Sequence, residues 1–149
     1  MATIIRPLET EDLQVLTTID DAYARANKLE PMLTPGCLSF YRRSGHAFVA
    51  VEDGKARGFL LAHAVWDGSR PVVRVTRVAV RESADVVTRE LLLEALTKSA
   101  YDAAAYDIIA ESPLTDAGGI CALETKGYQA VPVRLFRRVL GSGVLKQRS

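Results

Sequence analysis

At 149 residues the chain has the length of one domain with a sizeable core. It is 48% hydrophobic and 25% charged, which separates it from disordered and fibrous chains and fits a soluble globular protein. A formal net charge of +1 supplies no general attraction for nucleic acid or an anionic membrane, and no apolar run approaches the roughly 20 residues that span a bilayer.

"TIIRPL" (Thr3–Leu8) reads as an opening strand with Pro7 near its end. Thr10 can cap a helix, with Glu11 and Asp12 at its positive end, and the helix is expected to run to about Ala26. Leu13, Leu16, Ile19 and Tyr23 form its apolar stripe. "NKLEPMLTP" breaks it. Thr34 before Pro35 starts a second, short helix that Ser44-Gly45 ends; Leu38, Phe40 and Tyr41 are its expected buried members.

A meander follows. "HAFVAVED" is strand-like and Asp53-Gly54 is a hairpin turn. "KARGFLLAHAVW" is the next strand, "DGSRP" the next turn, and "VVRVTRVAV" a strand rich in β-branched residues, as a central strand should be. From about Asp85 to Ala105 the period becomes helical: Val86, Leu92, Leu96 and Ala100 share one face, with Leu93 beside it. "YDIIAES" is a short buried strand, "DAGGICALETKGY" a helix closed by Gly127, and "QAVPVRLFRRVL" one or two further strands interrupted at Pro132. The end from Gly141 is expected to fray. The order is β-α-α-β-β-β-α-β-α-β(β). It predicts a single α/β domain over 1–149, with three antiparallel strands leading into βαβ and helices on both sheet faces.

The N-terminus carries no apolar stretch with a cleavage site, so no signal peptide is expected. Cys37 and Cys121 form no CxxC, and two Cys with two His lack zinc-ligand spacing. A reduced, cytoplasmic protein without a metal is the expectation.

The order and the local sequences together resemble the GNAT acyltransferase superfamily, over about Ile4 to Leu140. "IIRPLETEDL" is similar to that family's first strand and helix. "FVAVEDGKARGFLLAHAV" is similar to its second and third strands, with Gly58 where the third begins. "VTRVAVRES" and "LLLEALTKSAYDAA" are similar to its fourth strand and following helix, and "GGICALETKGYQAV" to its closing A-x-x-L-Y-x-K-x-G-F segment. The resemblance implies an acetyl-CoA-dependent N-acetyltransferase acting on a small-molecule or peptide amine. The cofactor's pantetheine arm would lie along the backbone of Val78, Ala79 and Val80, in a gap between the fourth and fifth strands. Its pyrophosphate would sit on amides of a glycine-containing loop at the next helix N-terminus, where free N–H groups and the helix dipole favour an anion.

The chain departs from the pattern at that loop. Its key places fall near Ala84, Val87 and Arg89, so both glycine places are lost and the segment is one residue short. Val resists close backbone approach, and Asp85 puts a negative charge beside the phosphate position. Thr76 stands at the usual base, Leu123 at the usual tyrosine acid and Asp116 at a frequent Asn, so the resemblance assigns no catalytic residue.

Other candidates carry two readings each. Arg81 and Arg89 either replace the lost amides as phosphate ligands or are solvated surface charges, the simpler reading. Arg77, placed by alternation on one face with Val73 and Val75, needs a partner or a wet cleft. His63, alternating with Phe59, Leu61 and Val65, is either a base facing the cleft or a hydrogen-bonded structural residue. Glu111-Ser112 end a strand where α/β sheets place ligands, or serve the entry to the next helix. Trp66 either closes a pocket or packs at the core edge, and Cys121 is expected in the core. Two outcomes follow: an acetyltransferase with a remodelled loop, or a non-catalytic module of the same fold that binds another small ligand or partner. Either fits a monomer or a homodimer paired through "VRLFRRVL".

Overall fold

The computed structural model describes residues 2–141; the expected fraying beyond Gly141 lies outside them. The elements are β1 (Thr3–Pro7), a 3₁₀ turn (Thr10–Asp12), α1 (Leu13–Asn27), α2 (Pro35–Ser44), β2 (Phe48–Glu52), β3 (Lys55–Trp66), β4 (Pro71–Val80), α3 (Val86–Asp102), β5 (Ile108–Ala110) and α4 (Ala117–Thr125). The five strands form one sheet in the order β1-β2-β3-β4-β5, antiparallel through β4 and parallel between β4 and β5.

Local chemistry sets the boundaries. Asp12 is the anchor of the first turn: its carboxylate accepts from the Glu9 N–H (2.8 Å) and from both Arg6 Nη atoms (2.8 and 2.9 Å). Thr34 Oγ1 accepts from the Cys37 N–H at 3.1 Å, Pro35 opens α2, and Gly45 closes it at φ 79°. Asp53 and Gly54 both take positive φ (54° and 73°), the geometry of a tight β2–β3 hairpin.

The sheet separates two apolar clusters. Phe59, Leu61 and Ala79 pack with Leu16, Ile19 and Tyr23 of α1 and with Leu38 and Tyr41 of α2. Leu60, Ala62, Val73 and Val75 pack with Leu92, Leu93 and Leu96 of α3 and with Ala122 of α4. Such burial, at roughly 25 cal/mol per Å² of apolar surface, is the main force holding the layers together.

One irregularity reorganises the centre. Leu61 pairs with Arg77 and Ala62 with Val75, so Thr76 is an extra residue on β4, a bulge. The side-chain alternation reverses across it. Val73 and Val75 face α3, whereas Arg77 and Ala79 face α1 and α2. The expectation that Arg77 shares a face with Val73 and Val75 is therefore corrected. Three other expectations also change. Phe40 is half exposed and Cys121 is exposed. The stretch from Gln129 to Leu140 forms no strand; it runs irregularly over the surface, with its large apolar side chains in solvent.

Candidate functional site

β5 contacts β4 only over Val73–Val75, through Ile108–Ala110, with two further bonds, from the Val73 N–H to the Asp107 carbonyl (3.0 Å) and from the Glu111 N–H to the Val75 carbonyl (3.2 Å). β4 continues to Val80. Among the described residues no strand pairs with β4 beyond Val75 on the β5 side, so the backbone of Thr76–Val80 is unpaired along the cleft between the two strands, and a cavity reaches it at Val80. The bulge and this divergence lie together at the centre of the sheet.

The inner end of the cleft faces α2. The Tyr41 hydroxyl and Thr76 Oγ1 are 2.8 Å apart. Burial raises the Tyr41 pKa, so the phenol is protonated at neutral pH. His63 on β3 lies edge-on to Tyr41 and Phe40, with ring centroids 5.6 and 5.5 Å apart. Its Nδ1 is buried and has no hydrogen-bond partner, which overturns the hydrogen-bonded structural reading for that atom. Burial, helped by the nearby Arg74 charge, lowers its pKa, so the ring is neutral at pH 7. Arg74, its cross-strand partner, is clamped through Nε and Nη2 by Glu111 Oε1. Glu111 is thus the anchor of a cleft-side arginine. Trp66 is exposed at the far end of β3 and closes nothing.

Further along the same face, Arg77 is buried on Asp20. Its Nη1 donates to Oδ1 at 2.7 Å, and its guanidinium lies 5.7 Å from the Tyr23 ring centroid. Asp20 Oδ2 accepts from the Met32 and Leu33 N–H groups (2.6 and 3.0 Å), so one carboxylate pins the loop between α1 and α2. The partner that Arg77 needed is this carboxylate, and no wet cleft is required.

The outer end is where a pyrophosphate loop was expected. Arg89, 1% exposed, lies beneath it. Its Nη1 donates to the carbonyls of Ser83 (2.8 Å) and Asp85 (3.0 Å), and its Nη2 to Asp116 Oδ1 (2.8 Å). The loop therefore turns carbonyls, not amides, toward its centre. The helix N-terminus is also filled: Asp85 accepts from the Thr88 N–H (3.0 Å) and hydroxyl (2.6 Å). The amides of Asp85 and Val86 bond inside the loop, to Glu82 and Ala84. Neither reading of Arg89 survives, because it is neither a solvated charge nor a ligand awaiting phosphate. Arg81, by contrast, is exposed and donates to the Ala56 carbonyl at 2.6 Å.

Asp116 joins this plug to α1 and α4. Its Oδ2 accepts from the Tyr23 hydroxyl at 2.7 Å, and its Oδ1 also takes the Gly119 N–H at 3.1 Å. α4 comes so close that a Cβ on Gly118 would lie 2.5 Å from Arg89 Nη1 and 2.6 Å from the Ser83 oxygen. Beside the plug, a cavity of about 450 Å³ is lined by Tyr23, Asn27, Val80, Arg81, Ser83 and Asp116 among others. Among the described residues no cluster of three His, Cys, Asp or Glu side chains could hold a metal, and no helix is long and apolar enough to cross a membrane.

Sequence reasoning missed Asp20, Tyr23 and Tyr41 as members of this region. Tyr23 and Tyr41 read as buried apolar-face members of their helices, and Asp20 was not singled out. A polar residue amid an apolar stripe, as Asp20 beside Ile19, was the available signal.

Comparison with known proteins bears on this geometry. The family model described as a protein of unknown function (DUF1999) matches residues 5–130. TTHA1254 from Thermus thermophilus is 37% identical, covering 93% of this chain and 98% of its own, with TM-scores of 0.77 for the wild type and 0.80 for a point mutant. A ribosomal-protein-alanine N-acetyltransferase from Brucella melitensis biovar Abortus 2308 is 17% identical, with a TM-score of 0.73 over 94% of this chain and 100% of its own. The aminoglycoside N-acetyltransferase AAC(6')-Iy, solved in complex with CoA, is 16% identical, with a TM-score of 0.70 over 93% of this chain and 95% of its own. At such identities the last two share the fold, which is that of the GNAT acetyltransferases. No curated protein matches the chain.

Proposed function

The chain belongs to the DUF1999 family of proteins of unknown function, and from that premise we propose an N-acyltransferase of the GNAT type, acting on a small-molecule or peptide amine with acetyl-CoA as donor. The observation that carries this reading is the β4 bulge at Thr76 beside the divergence of β5, which leaves the Val78, Ala79 and Val80 backbone next to a cleft. That edge fits the pantetheine arm. The loop at Ser83–Thr88 does not fit a pyrophosphate, since Asp85 and Arg89 already occupy it. The donor would be held by its arm, with its phosphates in solvent.

A bound thioester supplies an electrophilic carbonyl. The chain's own contribution is to orient the amine and take its proton. His63 is neutral and its ring lies edge-on to Tyr41, with Nδ1 buried, so through its other nitrogen, Nε2, it is the candidate base. Tyr41, protonated and oriented by Thr76, is the candidate donor to a leaving thiolate. Proximity in a closed cleft can supply much of the remaining rate.

The plug favours a second reading, a non-catalytic module of this fold that binds no CoA. Calorimetry with acetyl-CoA and with free CoA separates the two. Saturable heat with either ligand supports the acyltransferase. No heat and no thermal shift at millimolar ligand would leave the module.

A further inference from the structure

The inner end of the cleft has a floor that stands partly in solvent. His63, Arg74 and Ile109 lie in one row across β3, β4 and β5, each opposite the next in register. Adjacent strands are about 4.8 Å apart, so the row spans roughly 10 Å. It faces α2: His63 lies edge-on to Phe40 and Tyr41, whereas Ile108 and Ala110, on either side of Ile109, pack into the α3 cluster. Yet Phe40 is 50% exposed, Ile109 46% and Val65, two places along β3 from His63, 37%. Exposed apolar groups around a few convergent polar ones are the make-up of a small-molecule seat. The rings of Phe40, Tyr41 and His63 meet edge to face, with centroids 5.0–5.6 Å apart, and the open half of Phe40 leaves room for one more ring in that cluster.

The charges near this floor cancel in pairs. Asp107 meets Arg70 at 2.8 Å, Glu111 is clamped by Arg74, Asp20 holds Arg77 at 2.7 Å and Asp116 holds Arg89 at 2.8 Å. Each of these carboxylates already has its cation, so a ligand with several positive charges finds none of them free. A second ammonium would also meet the Arg74 guanidinium, a like charge in the middle of the row. An apolar body meets no such repulsion and takes Phe40, Val65 and Ile109 out of water.

Resting on the acyltransferase reading, we propose that the acceptor is a primary amine with a single charge and an aromatic body, and not a polyamine. Its ring sits on Phe40, Val65 and Ile109, and its nitrogen lies at His63 Nε2. In the transfer the amine nitrogen bonds to the acetyl carbon of the donor as the carbon–sulfur bond breaks. The amine's proton passes to His63, and the departing thiolate takes one from Tyr41.

Calorimetry of the full chain without donor tests the seat, with 2-phenylethylamine and spermine as probes. Saturable binding of 2-phenylethylamine, tighter than that of spermine, is expected. Phe40→Ala should weaken it roughly tenfold. Ile109→Asp puts an unpaired carboxylate in the row and should reverse the order of the two amines. No binding of 2-phenylethylamine, or spermine bound as tightly by the wild type, would overturn the proposal. So would binding that neither substitution changes, because the amine would then sit elsewhere. Ile109 lies on a strand of three residues; should its variant fail to fold, Phe40→Ala decides alone. Thiol release from acetyl-CoA separates this proposal from the reading beneath it. Transfer to spermine but not to 2-phenylethylamine keeps the acyltransferase and refutes the aromatic seat. An amine that binds and is never acetylated keeps the seat and refutes the acyltransferase.

Discussion

Arg89 Nη2 lies 2.8 Å from Asp116 Oδ1, and this buried pair ties the start of α3 to the start of α4 across the mouth of the β4–β5 cleft. The two positions are where the resemblance puts a phosphate-loop glycine and a frequent Asn. Here a positive and a negative side chain have replaced them together, and each leaves the other uncompensated if removed.

Removing one partner is therefore the severe change. Arg89→Ala is expected to cost about 3–5 kcal/mol of stability. Replacing both with Leu should cost much less than the single substitution. Urea unfolding of the single and double variants measures the difference, and a neutral Arg89→Ala would contradict the buried pair.

Gly118→Ala tests the close approach of α4. The new methyl would meet the Arg89 guanidinium and the Ser83 carbonyl at 2.5 and 2.6 Å. Overpacking of this kind costs about 1–3 kcal/mol, read as a lowered Tm. An unchanged Tm would mean that α4 can move away freely.

Asp85→Ala should move stability and anion binding in opposite directions. Losing the cap on Thr88 costs about 1 kcal/mol. Losing its carboxylate frees the positive end of α3 for a phosphate. Tighter CoA binding in a less stable protein is the expected pair of results, and calorimetry with thermal melting reads both.

Stability should fall on mild acidification. His46, bonded through Nδ1 to Ser99 Oγ at 2.6 Å, has its pKa lowered by burial, as has His63. Each binds its proton more readily in the unfolded chain, where the value is near 6.5. Their contribution is complete above that pH and is lost as pH falls below it. His46→Gln should flatten the Tm-versus-pH curve between about pH 7 and 5.

If His63 is the base, acetyl transfer should rise with pH along a limb centred below 6.5 and level off above it. His63→Gln should lower kcat by roughly 10²–10⁴ and remove that limb. A rate lowered with the limb intact would assign His63 to positioning alone.

Much of this was legible in one dimension. The strand and helix order, the Thr34-Pro35 start, the Asp53-Gly54 hairpin and the βαβ unit follow from periodicity and turn chemistry, which act over a few residues. So did the loss of phosphate-loop glycines, because residue identity at a known junction is itself the observation. Two features were not legible. The bulge at Thr76 reverses the facing of Arg77, and strict alternation cannot see an inserted residue. Gln129–Leu140 has strand composition, but a strand also needs a neighbour, which local sequence does not supply.

The sequence alone determined the elements, their order and the residue types at the junction after β4. Only the tertiary structure decided what those residues do. Arg89 meets Asp116 from 27 positions away and Tyr23 meets the same carboxylate from 93 positions away. Such pairings depend on how layers pack, and in a low-dielectric interior packing decides whether a charge is a ligand, a surface group or a plug.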